Sequence, residues 1–262
     1  MIYLLVFLFG LLIGSFLNVC IHRMPQELSV VHPRSACPHC GHPIRWYDNV
    51  PVLSFLLLGG RCRDCQAAIS WLYPAVELIT ALLFVLVVRR YGLTLEAAKY
   101  GLFVAMMLAL AVVDLIDRLL PDPITLGGAA IGFVLSFVVL LPPGIAAFFL
   151  QIWGLQPSLR AVSVLESGVG AALGAGTLYL VGEIYFRVRL REGMGLGDVK
   201  MMALIGAFQG LGGAFWTLML ASMMGAVLGL VFILIFRKGL AYELPFGTFL
   251  AAAAILLVVG AP

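Results

Sequence analysis

The sequence predicts an all-α polytopic membrane protein, with about eight transmembrane helices and a cytoplasmic zinc-ribbon-like loop between helices 1 and 2. Three observations predict it. Of 262 residues, 63% are hydrophobic and only 11% charged, with a mean hydropathy of +1.10, whereas about a quarter of a soluble domain is charged. Residues 1–21, 123–159, 201–236 and 244–262 contain no Asp, Glu, Lys or Arg. The one long hydrophilic segment, residues 22–70, holds four of the five cysteines in two Cys-x-x-Cys pairs.

A helix rises about 1.5 Å per residue and needs about 20 residues to cross the hydrocarbon. The first and last charge-free stretches therefore fit one crossing each. The two middle ones are too long for one, and each is broken, at Leu141-Pro-Pro-Gly144 and at Gln209-Gly-Leu-Gly-Gly213. Expected spans run from about 2–20, 71–88, 98–116, 124–141, 165–186, 197–211, 214–236 and 245–261. The sixth is the shortest. The apolar piece 145–155 is expected in the interface, or re-entering without crossing. The chain divides into transmembrane helix 1 (1–21), a loop (22–70) and a seven-helix membrane core (71–262).

Orientation follows from the basic residues, which favour cytoplasmic loops. The loops after spans 1, 3, 5 and 7 hold Arg23, Arg34, Arg45, Arg61, Arg63, Arg118, Arg187, Arg189, Arg191, Lys200, Arg237 and Lys238, twelve of the sixteen Lys and Arg. Arg89, Arg90, Lys99 and Arg160 lie on the other side. Those odd loops are expected in the cytoplasm with both termini outside. The net charge of +3 reflects this asymmetry, and the partner it implies is membrane lipid, with no nucleic acid. Residues 2–20 read as a retained helix: no basic segment precedes the apolar run and no small-x-small cleavage site ends it. Cys20 reads as a packing residue.

In the loop, Cys37-Pro-His-Cys40 and Cys62-Arg-Asp-Cys65 have the spacing of a zinc ribbon, each pair offering two thiolates to a tetrahedral ion. The expected cytoplasmic side is reducing, which disfavours structural disulfides. So small a loop has little core, and one metal could supply most of its folding free energy. His39 and His42 read as bystanders, because four cysteines already complete the set.

Two aspartates are harder to explain structurally. Asp114 interrupts the apolar run Ala-Val-Val-Asp-Leu-Ile, and Asp198 closes the glycine-rich stretch Gly193-Met-Gly-Leu-Gly-Asp198. A carboxylate in hydrocarbon costs on the order of 3 kcal/mol, so it is rarely left without a partner or a task. Two brought together cannot both ionise easily, and the pair becomes a general acid beside a general base. That is the chemistry of an aspartyl hydrolase. Asp122 precedes Pro123 and reads as a helix cap; Asp117 beside Arg118 reads as a solvated interfacial carboxylate. Asp117 shares a helix face with Asp114 and is its rival for the catalytic role. For Asp198, the bland alternative is an acid favoured by the helix dipole. The spaced glycines do more, since they let backbone approach backbone or substrate. A phosphate loop is the weaker reading, since no strand precedes the loop and Lys200 lies outside any Gly-Lys-Ser/Thr sequence.

These residues resemble a family. Asp114 followed by Pro121-Asp122, with Gly195-Leu-Gly197-Asp198-Val-Lys200, is similar to the type IV prepilin peptidases, GxGD-type aspartyl proteases of bacterial inner membranes. Gly14-Ser-Phe-Leu-Asn-Val19, the cysteine pairs, Tyr73-Pro-Ala-Val-Glu77 and Pro245-Phe-Gly247 match as well. Nearly the whole chain is covered in one order. Thr248 departs from the pattern, many relatives carrying proline there, and little consequence is expected.

The resemblance implies a catalytic pair Asp114 and Asp198, supported by Gly195, Gly197 and Lys200, with zinc on Cys37, Cys40, Cys62 and Cys65. It implies removal of a short basic leader from type IV prepilins and pseudopilins by cutting after glycine, and N-methylation of the new terminus with S-adenosylmethionine as methyl donor. It places the enzyme in the bacterial inner membrane, serving type IV pili or type II secretion. An ion-coupled transporter would place its carboxylates nearer the midplane on repeat-related broken helices. A non-catalytic zinc-ribbon scaffold leaves Asp114 and Asp198 without a role.

Overall fold

The computed structural model describes residues 1–190, 195–236 and 245–260. Arg191, Gly193, Arg237 and Lys238, named above, lie outside the described residues. Those described form helices and loops with two isolated β-bridges, and divide into two compact units, Met1–Ala97 and Ala98–Pro262.

In the first unit, α1 (Ile2–Arg23) packs on α3 (Leu72–Tyr91), and the short α2 (Leu53–Leu57) lies in the loop between them. Small residues bring α1 and α3 together. A Cβ on Gly10 would lie 2.6 Å from the Ala81 Cα, and one on Gly14 would lie 2.6 Å from the Glu77 Cα. Side chains there would force the backbones apart, so glycine sets the approach, as is common between membrane helices. His22 and Arg23 in the last turn of α1, and Arg89 and Arg90 in that of α3, complement the negative helix ends.

The second unit starts in α4 (Leu95–Asp117) and continues through α5 (Asp122–Leu135), α6 (Ile145–Ile152), α7 (Leu159–Arg189), α8 (Leu196–Phe236) and α9 (Phe246–Gly260). Phe103, Met107, Leu110, Met202 and Phe208 are fully buried at its centre. Both predicted breaks occur. At Leu141-Pro-Pro-Gly144 the chain leaves helical geometry, and α7 supplies the missing partners. Ser163 accepts from the Leu141 N–H at 2.9 Å and donates to the Ser136 carbonyl at 2.7 Å. Glu166, 1% exposed, accepts from the Gly144 and Ala147 N–H groups at 2.9 and 3.1 Å. Backbone freed at membrane depth must find such partners inside the protein. α6 has 8 residues, about 12 Å of helix, too short to cross, in keeping with an interfacial or re-entrant piece.

The second break falls at Gly210 within α8, where φ is 74° and ψ −176°. That conformation suits glycine alone. Around it Gln209 donates to the Ala254 carbonyl on α9 at 3.0 Å and accepts from the Thr217 hydroxyl at 3.2 Å. α7 and α8 touch backbone to backbone: a Cβ on Gly170 would sit 2.7 Å from the Gly206 carbonyl oxygen, and Ser167 donates to the Ala207 carbonyl at 2.8 Å. Among the described residues, five helical stretches are long and apolar enough to cross a membrane: Ile2–Gln26, Leu72–Tyr91, Leu95–Asp117, Leu159–Arg189 and Leu196–Val231. Asp122–Leu135 and Phe246–Gly260 are shorter apolar helices.

Candidate active site and metal centre

The apolar face that buries α4 carries Asp114 in with it. This carboxylate is 6% exposed, one turn before the helix ends, while Asp117 is exposed. The first turn of α9 lies directly on Asp114. Its Oδ2 accepts two hydrogen bonds from Thr248, one from the backbone N–H at 2.7 Å and one from the hydroxyl at 2.9 Å. A Cβ on Gly247 would meet the Asp114 Cγ and Oδ2 at 3.1 Å, so glycine there admits the carboxylate. Thr248 therefore matters more than the sequence suggests. An N–H donor at this position is one that proline lacks.

Asp198 lies in the first turn of α8, half-buried, and is close enough to Asp114 for the two carboxylates to interact electrostatically. Leu120, in the connection between α4 and α5, touches both neighbourhoods. Its side chain would lie 3.1 Å from a Cβ on Gly197, next to Asp198, and its Cδ1 3.1 Å from a Cβ on Gly247, next to Asp114. Of the glycines before Asp198, Gly197 makes this close approach, whereas a Cβ at Gly195 would meet nothing nearer than the Gly197 nitrogen at 3.8 Å.

Asp122 is not the cap that its position before proline suggests. The cap position falls to Pro121, and no side chain bonds the helix end. The carboxylate instead takes the Lys200 ammonium at 2.6 and 2.9 Å, joining the first turns of α5 and α8.

In the first unit, two knuckles with matching hydrogen bonds present the cysteines. The Cys37 N–H donates to the His42 carbonyl at 2.9 Å and the Cys62 N–H to the Ala67 carbonyl at 2.9 Å. The residue after the second cysteine of each pair turns left-handed, Gly41 at φ 70° and Gln66 at φ 61°. The Sγ atoms of Cys37, Cys40, Cys62 and Cys65 all lie within 4.8 Å of one another, with Cys37 and Cys65 at 3.8 Å. Tetrahedral thiolates at a Zn–S distance of about 2.3 Å are about 3.8 Å apart, so the four sulfurs fit a metal ion. Backbone hydrogen bonds from Cys40 and His39 hold the Cys37 thiol down at about 6, while, against the Ala67 backbone hydrogen bond, burial and the neighbouring thiols push Cys65 up to about 12. Arg63 grips Asp48 through three contacts between 2.6 and 3.2 Å, which keeps that carboxyl below its usual range and ties the second knuckle to the preceding loop.

Comparison with known proteins bears on what these two constellations belong to. The sequence matches the Bacterial Peptidase A24 N-terminal domain over residues 8–91 and the Type IV leader peptidase family over residues 101–234. Among curated relatives, the Prepilin leader peptidase/N-methyltransferase of Myxococcus xanthus is 39% identical over 228 residues, 87% of this chain and 62% of the relative. Those of Pseudomonas aeruginosa and Aeromonas hydrophila are 35% and 37% identical, covering 94% and 95% of this chain and 86% and 87% of theirs. The chain thus spans less than two thirds of the Myxococcus protein and most of the other two. No solved structure matches it. A helical membrane protein with a four-cysteine loop and paired carboxylates defines a class. Within it, the chain belongs to the type IV leader peptidase family.

Three residues of the dyad's surroundings escape sequence reasoning. Thr248 and Gly247 reach Asp114 from more than a hundred residues away, and Leu120 looks like any apolar loop residue. The Pro245-Phe-Gly247 motif was the available signal.

Proposed function

We propose that this chain is a membrane aspartyl endopeptidase that removes the basic leader of type IV prepilins and pseudopilins after glycine, then methylates the new N-terminus. The observation that carries the peptidase half is the buried Asp114, held by Thr248 and within electrostatic reach of Asp198. Asp114 and Asp198 are its catalytic pair.

The contacts support a division of roles between them. Both Thr248 donors point at Asp114 Oδ2, so a proton arriving on Asp114 goes to Oδ1. Asp114, the acceptor, takes a proton from the attacking water as general base. Asp198 carries the proton that polarises the scissile carbonyl and then protonates the leaving amine. Gly197 leaves room for the Leu120 side chain beside Asp198, and the Lys200–Asp122 pair fixes the first turn of α8 against α5.

Thr248 is a positioning residue in this scheme, and its variants should form a series. Thr248→Val keeps the N–H and loses the hydroxyl, and should slow cleavage about tenfold, the worth of one hydrogen bond to a charged group. Thr248→Ser should restore the rate, and Thr248→Pro, which removes both donors, should be slowest. Initial rates on a purified prepilin give the order. A valine variant as fast as the parent removes Thr248 from the mechanism.

The metal is zinc, held by Cys37, Cys40, Cys62 and Cys65 with all four positions filled, so that its part is to fold the loop. Bound S-adenosylmethionine would supply a methyl group to the neutral N-terminal amine: the S–CH3 bond breaks, the N–CH3 bond forms, the amine proton passes to water and a thioether remains.

Eight crossings, with α8 divided at Gly210, return the chain to its starting side, in the inner membrane with dyad and zinc loop cytoplasmic. A reporter cysteine at Gly92 should react with an impermeant thiol reagent applied to intact cells, and one at Gly193 should not; the opposite pattern reverses the topology. Incubating the purified protein with a prepilin tests the function directly. A product shortened at the glycine is expected, and an intact prepilin refutes the reading.

A further inference from the structure

Leu120 reaches the neighbourhoods of both acids, and its position is imposed from both sides. Before it, Arg118 turns left-handed at φ 54° while its N–H donates to the Asp114 carbonyl at 3.1 Å, a conformation that such a residue keeps only where its surroundings hold it. After it, Pro121 sits at φ −60° and restricts Leu120 to extended backbone. The Pro121 carbonyl accepts the Ile124 and Thr125 N–H groups at 3.1 Å, which ties the turn to α5. Two adjacent leucines are thereby separated: Leu119 is 54% exposed, and Leu120 is half-buried.

A single methyl group makes both approaches. Leu120 Cδ1 lies 3.1 Å from where a Cβ would stand on Gly197, and 3.1 Å from where one would stand on Gly247. Carbon atoms in ordinary contact are about 3.5–4.0 Å apart, so both positions must be glycine to admit it. Gly197 is joined to Asp198, and the Gly247 position is itself 3.1 Å from Asp114 Cγ and Oδ2. The methyl therefore stands beside the gap that a scissile carbonyl must enter to meet both carboxylates. That carbonyl belongs to the residue before the cut, whose Cβ would be two bonds away from it and nearest to Leu120. Glycine brings no Cβ there.

We infer that Leu120 sets the demand for glycine before the cleaved bond, by filling the space that a Cβ on that residue would need. The inference rests on the peptidase half of the proposed function and gives its glycine preference a physical origin. Leu120 exchanges no proton; it sorts substrates and leaves the chemistry to the acids. Gly197 and Gly247 admit the methyl but exclude nothing themselves, since neither carries a side chain. One methylene more or less in a fitted apolar pocket changes relative rates by about 10- to 200-fold. A leucine methyl held rigidly at the dyad is therefore enough to separate glycine from alanine.

The test uses the full-length protein in detergent with two prepilins, one with glycine before the cut and one with alanine there, and reads the ratio of their kcat/KM values. Within one preparation that ratio is independent of how much of the enzyme is folded. The parent should prefer glycine by at least about a hundredfold. Leu120→Ala should lower that preference by at least about tenfold, and Leu120→Val, which removes less of the side chain, by a smaller factor. Should Leu120→Ala cut neither prepilin, the valine variant decides by the same ratio. An unchanged ratio overturns the inference and leaves the peptidase reading standing, because a leucine that only packs the site would slow both substrates alike. A parent that cuts both prepilins equally well overturns it too. Failure of the parent to cut the glycine prepilin overturns both readings.

Discussion

Replacing Asp114 or Asp198 by asparagine should abolish leader removal, by at least about a thousandfold, within the range that general acid–base catalysis contributes. Asparagine has the shape of aspartate but cannot exchange the proton. At Asp114 the amide oxygen can still accept from Thr248, whose two bonds of 2.7 and 2.9 Å favour the native packing. The variants should therefore insert, resist proteolysis and bind prepilin while failing to cut it. Two carboxylates acting as a unit also predict that the double variant is little worse than either single one. Asp117→Asn is the control: the residue is exposed at the end of α4, and its variant should cleave at close to the parent rate. Substantial cutting by the Asp114 variant, with loss in the Asp117 variant, would transfer the catalytic role.

Removing the metal should have the next largest effect, on the loop rather than the helices. Apparent zinc-binding free energies of about 10–16 kcal/mol in small zinc domains are folding free energies. Besides the four sulfurs, the described contacts that close the loop are two ion pairs, Asp48–Arg63 and Arg45–Asp64, and scattered hydrogen bonds such as those of Arg23 to the Ser29 and Pro33 carbonyls. Elemental analysis should find one zinc per chain. Stripping it, or making Cys62→Ser, should open Arg45, Arg61 and Arg63 to trypsin while helical content holds. Methylation should fall before leader removal does. Active, reduced protein without metal would reject zinc, and equal loss of both activities with intact helices would reject the division of labour.

The membrane fold is legible because its determinants are local. A charge-free stretch of about 20 residues implies a membrane-crossing helix, and the breaks at Leu141-Pro-Pro-Gly144 and Gly210 are announced by proline and glycine. The cysteine spacing likewise encodes its own geometry, since each knuckle is closed by hydrogen bonds within six residues. What the sequence conceals are choices between partners far apart. Asp122 has the surroundings of a cap, yet an ammonium 78 residues away competes more strongly for it. Glu166 has an ordinary place in a helix, and only the fold shows it satisfying the backbone at Gly144 and Ala147. Thr248 lies 134 residues from the carboxylate it holds; the Pro245-Phe-Gly247 motif marks the neighbourhood, but nothing local names Asp114 as the partner.

The hold on Asp114 is made from two different kinds of material, and this shapes how the enzyme can vary over generations. The backbone N–H at position 248 survives every replacement except proline; the hydroxyl survives only in serine. On the proposed mechanism, drift at this position would change the cleavage rate by steps, through serine, then other residues, then proline, without removing either acid. Asp114 and Asp198 have no such intermediate states. Lineages needing faster or slower pilin maturation have a graded position at 248 beside two that admit no change.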